Sequence, residues 1–246
     1  MWRRSPKRTK TGSARVPAAT RVYAVGDVHG RVDLLERTLS RIDRHRGAYP
    51  TSRAIEVMLG DYIDRGPQAR DVIELLVARQ RHQSTVCLVG NHETYLLDFL
   101  RDPASLDVWQ RYGGLETLLS YGLAPSLKPS SAEQVELAAA FSERLPQSHY
   151  NFLTTLPLHF SCGDYFFVHA GVRPGIAFSD QREDDLLLIR EEFLFHQGMF
   201  EKVVVHGHTP VSEPEIHRNR INIDTGAFAS GKLTCVILEN DDIVFL

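Results

Sequence analysis

The chain has 246 residues, 43% hydrophobic and 24% charged, with a formal charge of -3. That composition suits one large globular domain with a substantial core and excludes a low-complexity or disordered chain. Residues 1–16 carry six Lys/Arg and no acid, so the remainder, with 22 basic residues against 31 acidic, stands at -9 and is a poor nucleic-acid surface.

Taken in chain order, the first segment is this basic arm, residues 1–18, which reads as flexible and solvated. It lacks the apolar run of a secretory signal, and no stretch approaches the ~18 apolar residues of a membrane span, so a cytoplasmic protein with no membrane partner is expected. Residues 19–246 read as a single domain. Strand-like runs follow at 21-RVYAV-25, 54-AIEVML-59 and 85-TVCLV-89, alternating with helical periodicity at Val32, Leu35, Leu39 and Ile42, at Val72, Ile73 and Leu76, and at Tyr95, Leu96 and Phe99. A βαβαβα order predicts a mostly parallel sheet with right-handed crossovers. About residues 102–160 read as a mainly helical insertion over the core, with helices predicted over 106–122 and 131–145. A β-rich second half follows, at 165-YFFVH-169, 202-KVVVH-206, 220-RINI-223, 233-LTCVIL-238 and 242-DIVFL-246. Cys87, Cys162 and Cys235 are far apart and lie in or beside apolar segments, which reads as reduced packing residues and agrees with a cytoplasmic setting.

Five of the strands end in short polar turns that contain glycine: 26-GDVHG-30, 60-GDYIDRG-66, 90-GNHE-93, 169-HAG-171 and 207-GHTP-210. In open α/β sheets ligands collect at the carboxyl ends of strands, so these turns are expected to converge. They offer Asp27, His29, Asp61, Asp64, Asn91, His92, His169 and His208. Carboxylates, imidazoles and an amide oxygen without a thiolate suit Mn, Fe or Zn in a reactive site, and do not suit a structural zinc.

The set GDxHG, GDxxDRG, GNHE, HAG and GHTP, in this order, resembles the PPP group of the calcineurin-like metallophosphoesterases, above all the small bacterial and phage serine/threonine protein phosphatases. The likeness covers residues 21–99 and 165–239 and leaves out the arm and the insertion. It implies an α/β fold, an αββα sandwich of two mixed sheets flanked by helices, with a dinuclear metal site at the strand ends. By position it gives Asp27 and His29 to one divalent ion, Asp61 to the bridge, and Asn91, His169 and His208 to the other, with Mn, Fe or Zn as the metals and Mn foremost in vitro. A water activated by both ions would attack phosphorus in line, with no covalent intermediate. His92 would protonate the leaving group, oriented by Asp64, while Arg65 and Arg190, with Asn91, would bind the phosphate. For Arg190, in 186-LLLIREEFL-194, a surface ion pair with the adjoining glutamates is the competing reading.

His45, His82, His149, His159, His196 and His217 stand alone and read as surface or satisfied core residues. Strand alternation places His206 on the side of His208, though the family keeps only the latter as a ligand. Asp224 either orients a ligand or caps its turn. The resemblance implies a phosphomonoester hydrolase, a serine/threonine phosphoprotein phosphatase acting on a phosphoprotein or a small phosphoester. The alternatives are a symmetrical diadenosine tetraphosphate hydrolase, which tends to GNHD where this chain has Glu93, and a non-catalytic phosphatase-fold scaffold, which would need a broken ligand set.

Overall fold

The computed structural model describes residues 14–246. These described residues form ten strands: β1 (Thr20–Val25), β2 (Arg53–Met58), β3 (Thr85–Cys87), β4 (His159–Cys162), β5 (Tyr165–Val168), β6 (Val203–His206), β7 (Glu215–Ile216), β8 (Arg220–Asn222), β9 (Cys235–Glu239) and β10 (Asp242–Phe245). They make two five-stranded sheets, in the orders β10-β9-β1-β2-β3 and β4-β5-β6-β8-β7. Each has a parallel part, β1–β2–β3 along one edge of the first and β5–β6–β8 within the second, with antiparallel strands beside it. The expected parallel sheet is therefore one part of a mixed one, because β9 and β10 return beside β1.

Alternation along each strand builds the layers. Val22 and Ala24 of β1 with Ile55 and Val57 of β2 face inward and meet Tyr165, Phe167, Val203, Val205 and Ile221 of the second sheet. Tyr23 and Val25 face the other way, onto helices α1 (Val32–Ala48), α2 (Ala69–His82) and α3 (Asn91–Arg101). The segment expected as an insertion is mainly helical: α4 (Leu106–Trp109), α5 (Gly114–Ser120), α6 (Ser131–Arg144) and α7 (Gln147–Thr154). It shares this outer core through Leu106, Trp109, Phe141 and Phe152 rather than sitting on top of it. The helix expected over 106–122 breaks where Gly113 takes φ 97°.

On the far face of the second sheet, Phe166, Val168 and Val204 pack against Leu186 of α8 (Glu183–Leu188), Phe193 of α9 (Glu191–Leu194) and Ile189 between them. A last short helix, α10 (Ala227–Ser230), follows the turn after β8. The result is helix, sheet, sheet, helix, as the resemblance implied. Residues 14–18 of the expected arm do not extend away: Val16 is buried, its N–H donates to Asn240, and Arg15 and Asp164 exchange two hydrogen bonds. The rest of the arm lies outside the described residues. Cys87, Cys162 and Cys235 are free and buried. Among the described residues no helix is long and apolar enough to cross a membrane.

Candidate metal centre and active site

The carboxyl ends of β1, β2, β3, β5 and β6 lie side by side, and the five turns meet there. Among the described residues seven non-glycine residues have positive φ, and five of them are His29, Asp61, Asp64, Arg65 and His208. L-residues avoid this region, and clustering of such strain marks sites where the fold holds side chains in place. Gly207 is needed for a different reason: a Cβ there would collide with Asp27 Oδ1.

Asp61 lies at the centre. Its Oδ2 is 3.4 Å from His29 Nε2 and its Oδ1 3.3 Å from His169 Nε2, so its two oxygens address different partners. On the second side, His169 Nε2 lies 3.0 Å from Asn91 Oδ1 and 3.1 Å from His208 Nδ1, and His208 Nδ1 lies 2.9 Å from Asn91 Oδ1. His169 already donates from Nδ1 to the Leu59 carbonyl, so its Nε2 presents a lone pair to the amide oxygen. His29 is arranged alike, with Nδ1 donating to the Ile63 carbonyl and Nε2 turned to the centre. Acceptors that face each other at these distances call for a cation between them. Burial holds His29 down to about 3 and His208 to about 2, so both stay neutral imidazoles fit to ligate.

Two compact donor groups result, one of His29, Asp61 and His92 and one of Asp61, His169 and His208, with Asp61 in both. The second, with Asn91, is the set the resemblance assigned to one ion. In the first, His92 stands where Asp27 was expected. Asp27 accepts the His208 N–H at Oδ2 (3.0 Å), but its Oδ1 is buried without a partner among the described residues. Burial, with Asp224 and Asp61 nearby, pushes the Asp27 carboxyl well up. For Asp61 burial acts in the same direction, and the charge on His92, the one histidine of this cluster raised above its ordinary value, opposes it. Imidazole and amide donors around one shared carboxylate, and an orphaned carboxylate oxygen beside it, fit divalent cations.

His92 is buried and its Nδ1 is 2.6 Å from Asp64 Oδ2. A carboxylate can only accept, so Nδ1 carries the proton and Nε2 faces Asp61 and Arg65. Burial opposes the imidazolium, but the Asp61 charge and the Asp64 hydrogen bond prevail and raise His92 above the ordinary histidine value. Asp64 is fully buried and takes two further hydrogen bonds, from Trp109 Nε1 (2.7 Å) and Thr117 Oγ1 (2.5 Å). Arg65 lies between the two imidazoles, 3.0 Å from His29 Nε2 and 3.1 Å from His92 Nε2, with its Cζ 5.0 Å from the Phe228 ring centre.

Glu93 gives the GNHE turn a structural reason. It accepts from the backbone N–H of Asp61 (2.9 Å), Tyr62 (2.8 Å) and Gly90 (2.9 Å), tying two turns together. Burial and the Asp61 charge push it up to about 7 against those donors. An aspartate would stop one methylene short.

Arg190 lies in the short link between α8 and α9. It donates to Thr209 Oγ1 (3.3 Å), in the turn that holds His208, while Glu192 pairs with Arg173. The competing reading, an ion pair with adjoining glutamates, has no such pair to support it among the described residues. His208 leaves the strand at φ 63°, so alternation does not carry His206 to its side. The His206 ring sits edge-on to Phe193 (4.9 Å). Asp224 caps its turn, Oδ1 accepting from Gly226 N–H (2.8 Å), and burial raises it to about 6. His149 is a satisfied core residue between Tyr121 and Glu74.

Sequence reasoning missed Trp109, Thr117, Tyr112 and Phe228. Tyr112 stacks on Tyr95 (5.1 Å, 16°) next to His92, and Phe228 stands against His29 (5.6 Å). Tyr112 and Phe228 keep 43% and 39% of their surface exposed, which makes an aromatic rim.

The family model for calcineurin-like phosphoesterases matches residues 20–239. A bis(5'-nucleosyl)-tetraphosphatase of the asymmetrical type from Halalkalibacterium halodurans is 27% identical over 238 residues, covering 86% of this chain and 87% of that one. Serine/threonine-protein phosphatase 1 of Salmonella typhimurium is 28% identical over 218 residues, covering 87% and 89%. A mutant cold-active protein tyrosine phosphatase superposes with a TM-score of 0.60 at 17% identity, covering 94% of this chain and 80% of that one, a likeness of fold.

Proposed function

The chain belongs to the calcineurin-like phosphoesterase family and is a phosphoric ester hydrolase, and from that premise we propose that it cleaves phosphomonoesters of serine and threonine in proteins. The observation that carries this reading is the buried His92–Asp64 pair beside the donor groups (2.6 Å). A serine alkoxide is a strongly basic leaving group and needs a proton in the transition state. A nucleotide phosphate leaves readily without one, so an acid held this firmly has most to do on an alkyl ester.

Asp27, His29 and Asp61 would hold one divalent ion, and Asp61, Asn91, His169 and His208 the other, Mn being our choice for an oxygen and nitrogen donor set. When bound, the ions supply Lewis acidity towards the phosphoryl oxygens and lower the pKa of water. Arg65, a planar fork beside His29 and His92, and Arg190, held at Thr209, would bind phosphate oxygens together with Asn91. Once protonated on Nε2, which here faces the Arg65 guanidinium, His92 would give that proton to the leaving oxygen while Asp64 keeps the ring turned by its hold on Nδ1. Three free buried cysteines support a cytoplasmic setting.

The second reading is hydrolysis of a dinucleoside polyphosphate, favoured by the aromatic rim of Tyr112 and Phe228, on which a nucleobase could stack. The relatives alter the form of this alternative: the Halalkalibacterium halodurans protein named for such a substrate is of the asymmetrical type, so an asymmetrical cut replaces the symmetrical one expected above. Rates measured side by side on a phosphoserine peptide and on diadenosine tetraphosphate, with Mn supplied, test the choice. We expect the peptide to be the faster substrate. A faster tetraphosphate reaction with products of unequal phosphate number would transfer the conclusion to the second reading.

A further inference from the structure

The stretch 109-WQRYGGLET-117 lies outside the turns that carry the donor groups, yet it grips Asp64 and Arg65 from one side. Trp109 Nε1 donates to Asp64 Oδ2 and Thr117 Oγ1 to Asp64 Oδ1, while the Thr117 hydroxyl accepts the Asp64 backbone N–H (2.9 Å). The Gly113 carbonyl accepts the Arg65 N–H (3.3 Å). A Cβ on Gly113, which has φ 97°, would lie 2.6 Å from the Arg65 nitrogen, and one on Gly114 would enter the Trp109 ring. Asp64 and Arg65 are consecutive left-handed residues, at φ 68° and 65°. Such a pair persists only where its surroundings over-determine it.

We infer that Trp109 and Thr117 are positioning residues for the proton donor, acting through Asp64. One donor from this stretch sits on each carboxylate oxygen, so Asp64 cannot rotate. Its lone pair on Oδ2 stays aimed at His92 Nδ1–H, which keeps Nε2 turned to Asp61 and Arg65. The inference rests on His92 being the acid, as proposed above. A purely structural role is the competing account, because Trp109 also packs on Phe99 (5.4 Å) and Phe141 (6.5 Å). Trp109→Phe keeps an aromatic ring in that cluster and removes the N–H, and Thr117→Val keeps the shape and removes the hydroxyl.

The test is kcat and KM for Trp109→Phe, Thr117→Val and Thr117→Ser on a phosphoserine peptide and on p-nitrophenyl phosphate, with Mn supplied and His92→Asn run in parallel. Trp109→Phe and Thr117→Val are expected to lower kcat roughly 10- to 100-fold on the peptide, with a much smaller loss on p-nitrophenyl phosphate and little change in KM. Thr117→Ser should restore the peptide rate. The downfield proton NMR signal of His92 Nδ1–H should move in the first two variants and return in the third. Equal losses on both substrates, or an unmoved His92 signal, would overturn the inference while leaving His92 as acid if His92→Asn still discriminates. If His92→Asn itself loses both substrates equally, the acid assignment falls and this role falls with it.

Discussion

Asp61 joins the two halves of the centre because its oxygens diverge, Oδ2 to His29 and His92 and Oδ1 to His169. Its own placement is determined from outside: φ 52° aims the side chain, Glu93 holds its amide, and its Oδ1 takes the His92 backbone N–H (3.2 Å). Asp61→Asn keeps the shape and removes the charge that would balance the proposed cations. It should abolish hydrolysis and lower the Mn bound per chain, measured by elemental analysis. Full activity with unchanged metal content would remove Asp61 from the bridging role. The same charge logic explains why so many neutral imidazoles are tolerated in one buried place: burial strips their protons, and ligands must be unprotonated.

At the scale of elements, the turns are only as fixed as the strands that end in them. Sheet-to-sheet packing sets the distance between Asp61, after β2, and His169, after β5. Phe167 of β5 is fully buried between the sheets among Val203, Val205 and Ile221. Phe167→Ala should destabilise the fold by ~3–5 kcal/mol, since transfer and cavity costs add. Urea denaturation is the check, and a loss below ~1 kcal/mol would mean that the inter-sheet core does not carry the fold as described. The helical layer behaves similarly, because Trp109 and Phe141 belong to the outer core and Trp109 also touches Asp64. Packing and site are here one set of contacts.

For the whole molecule, the dominant electrostatic fact is the crowding of Asp27, Asp61 and Asp224 under little solvent. Asp224 is raised by burial from 3.8 to about 6, so without cations the folded chain binds a proton that the unfolded chain has lost. That contribution is present below the unfolded value of 3.8 and is lost as pH rises towards about 6. Cations relieve the repulsion, and a ligand at 100 times its Kd adds ~2.7 kcal/mol. The gap in Tm between Mn-loaded and chelated protein should therefore widen as pH rises from 5 to 7. A gap that stays constant or narrows would contradict carboxylate crowding as its source.

Eight of the ten strands and the five turns after them were legible from residue order alone, because burial on both faces selects apolar runs and a ligand turn needs glycine beside a donor. Those are local demands, and local sequence states them. The division of strands between sheets was not legible: β8 pairs with β6 and β9 with β1, and no short-range pattern separates two β-branched runs that lie close together. Nor were Trp109 and Thr117, which reach Asp64 across 45 and 53 residues. A tryptophan and a threonine in a helical segment look like ordinary core and surface choices until chain folding brings a buried carboxylate to them. Donor types and their order are properties of the chain; which oxygen each donor meets depends on long-range packing, since a hydrogen bond exists only at contact distance.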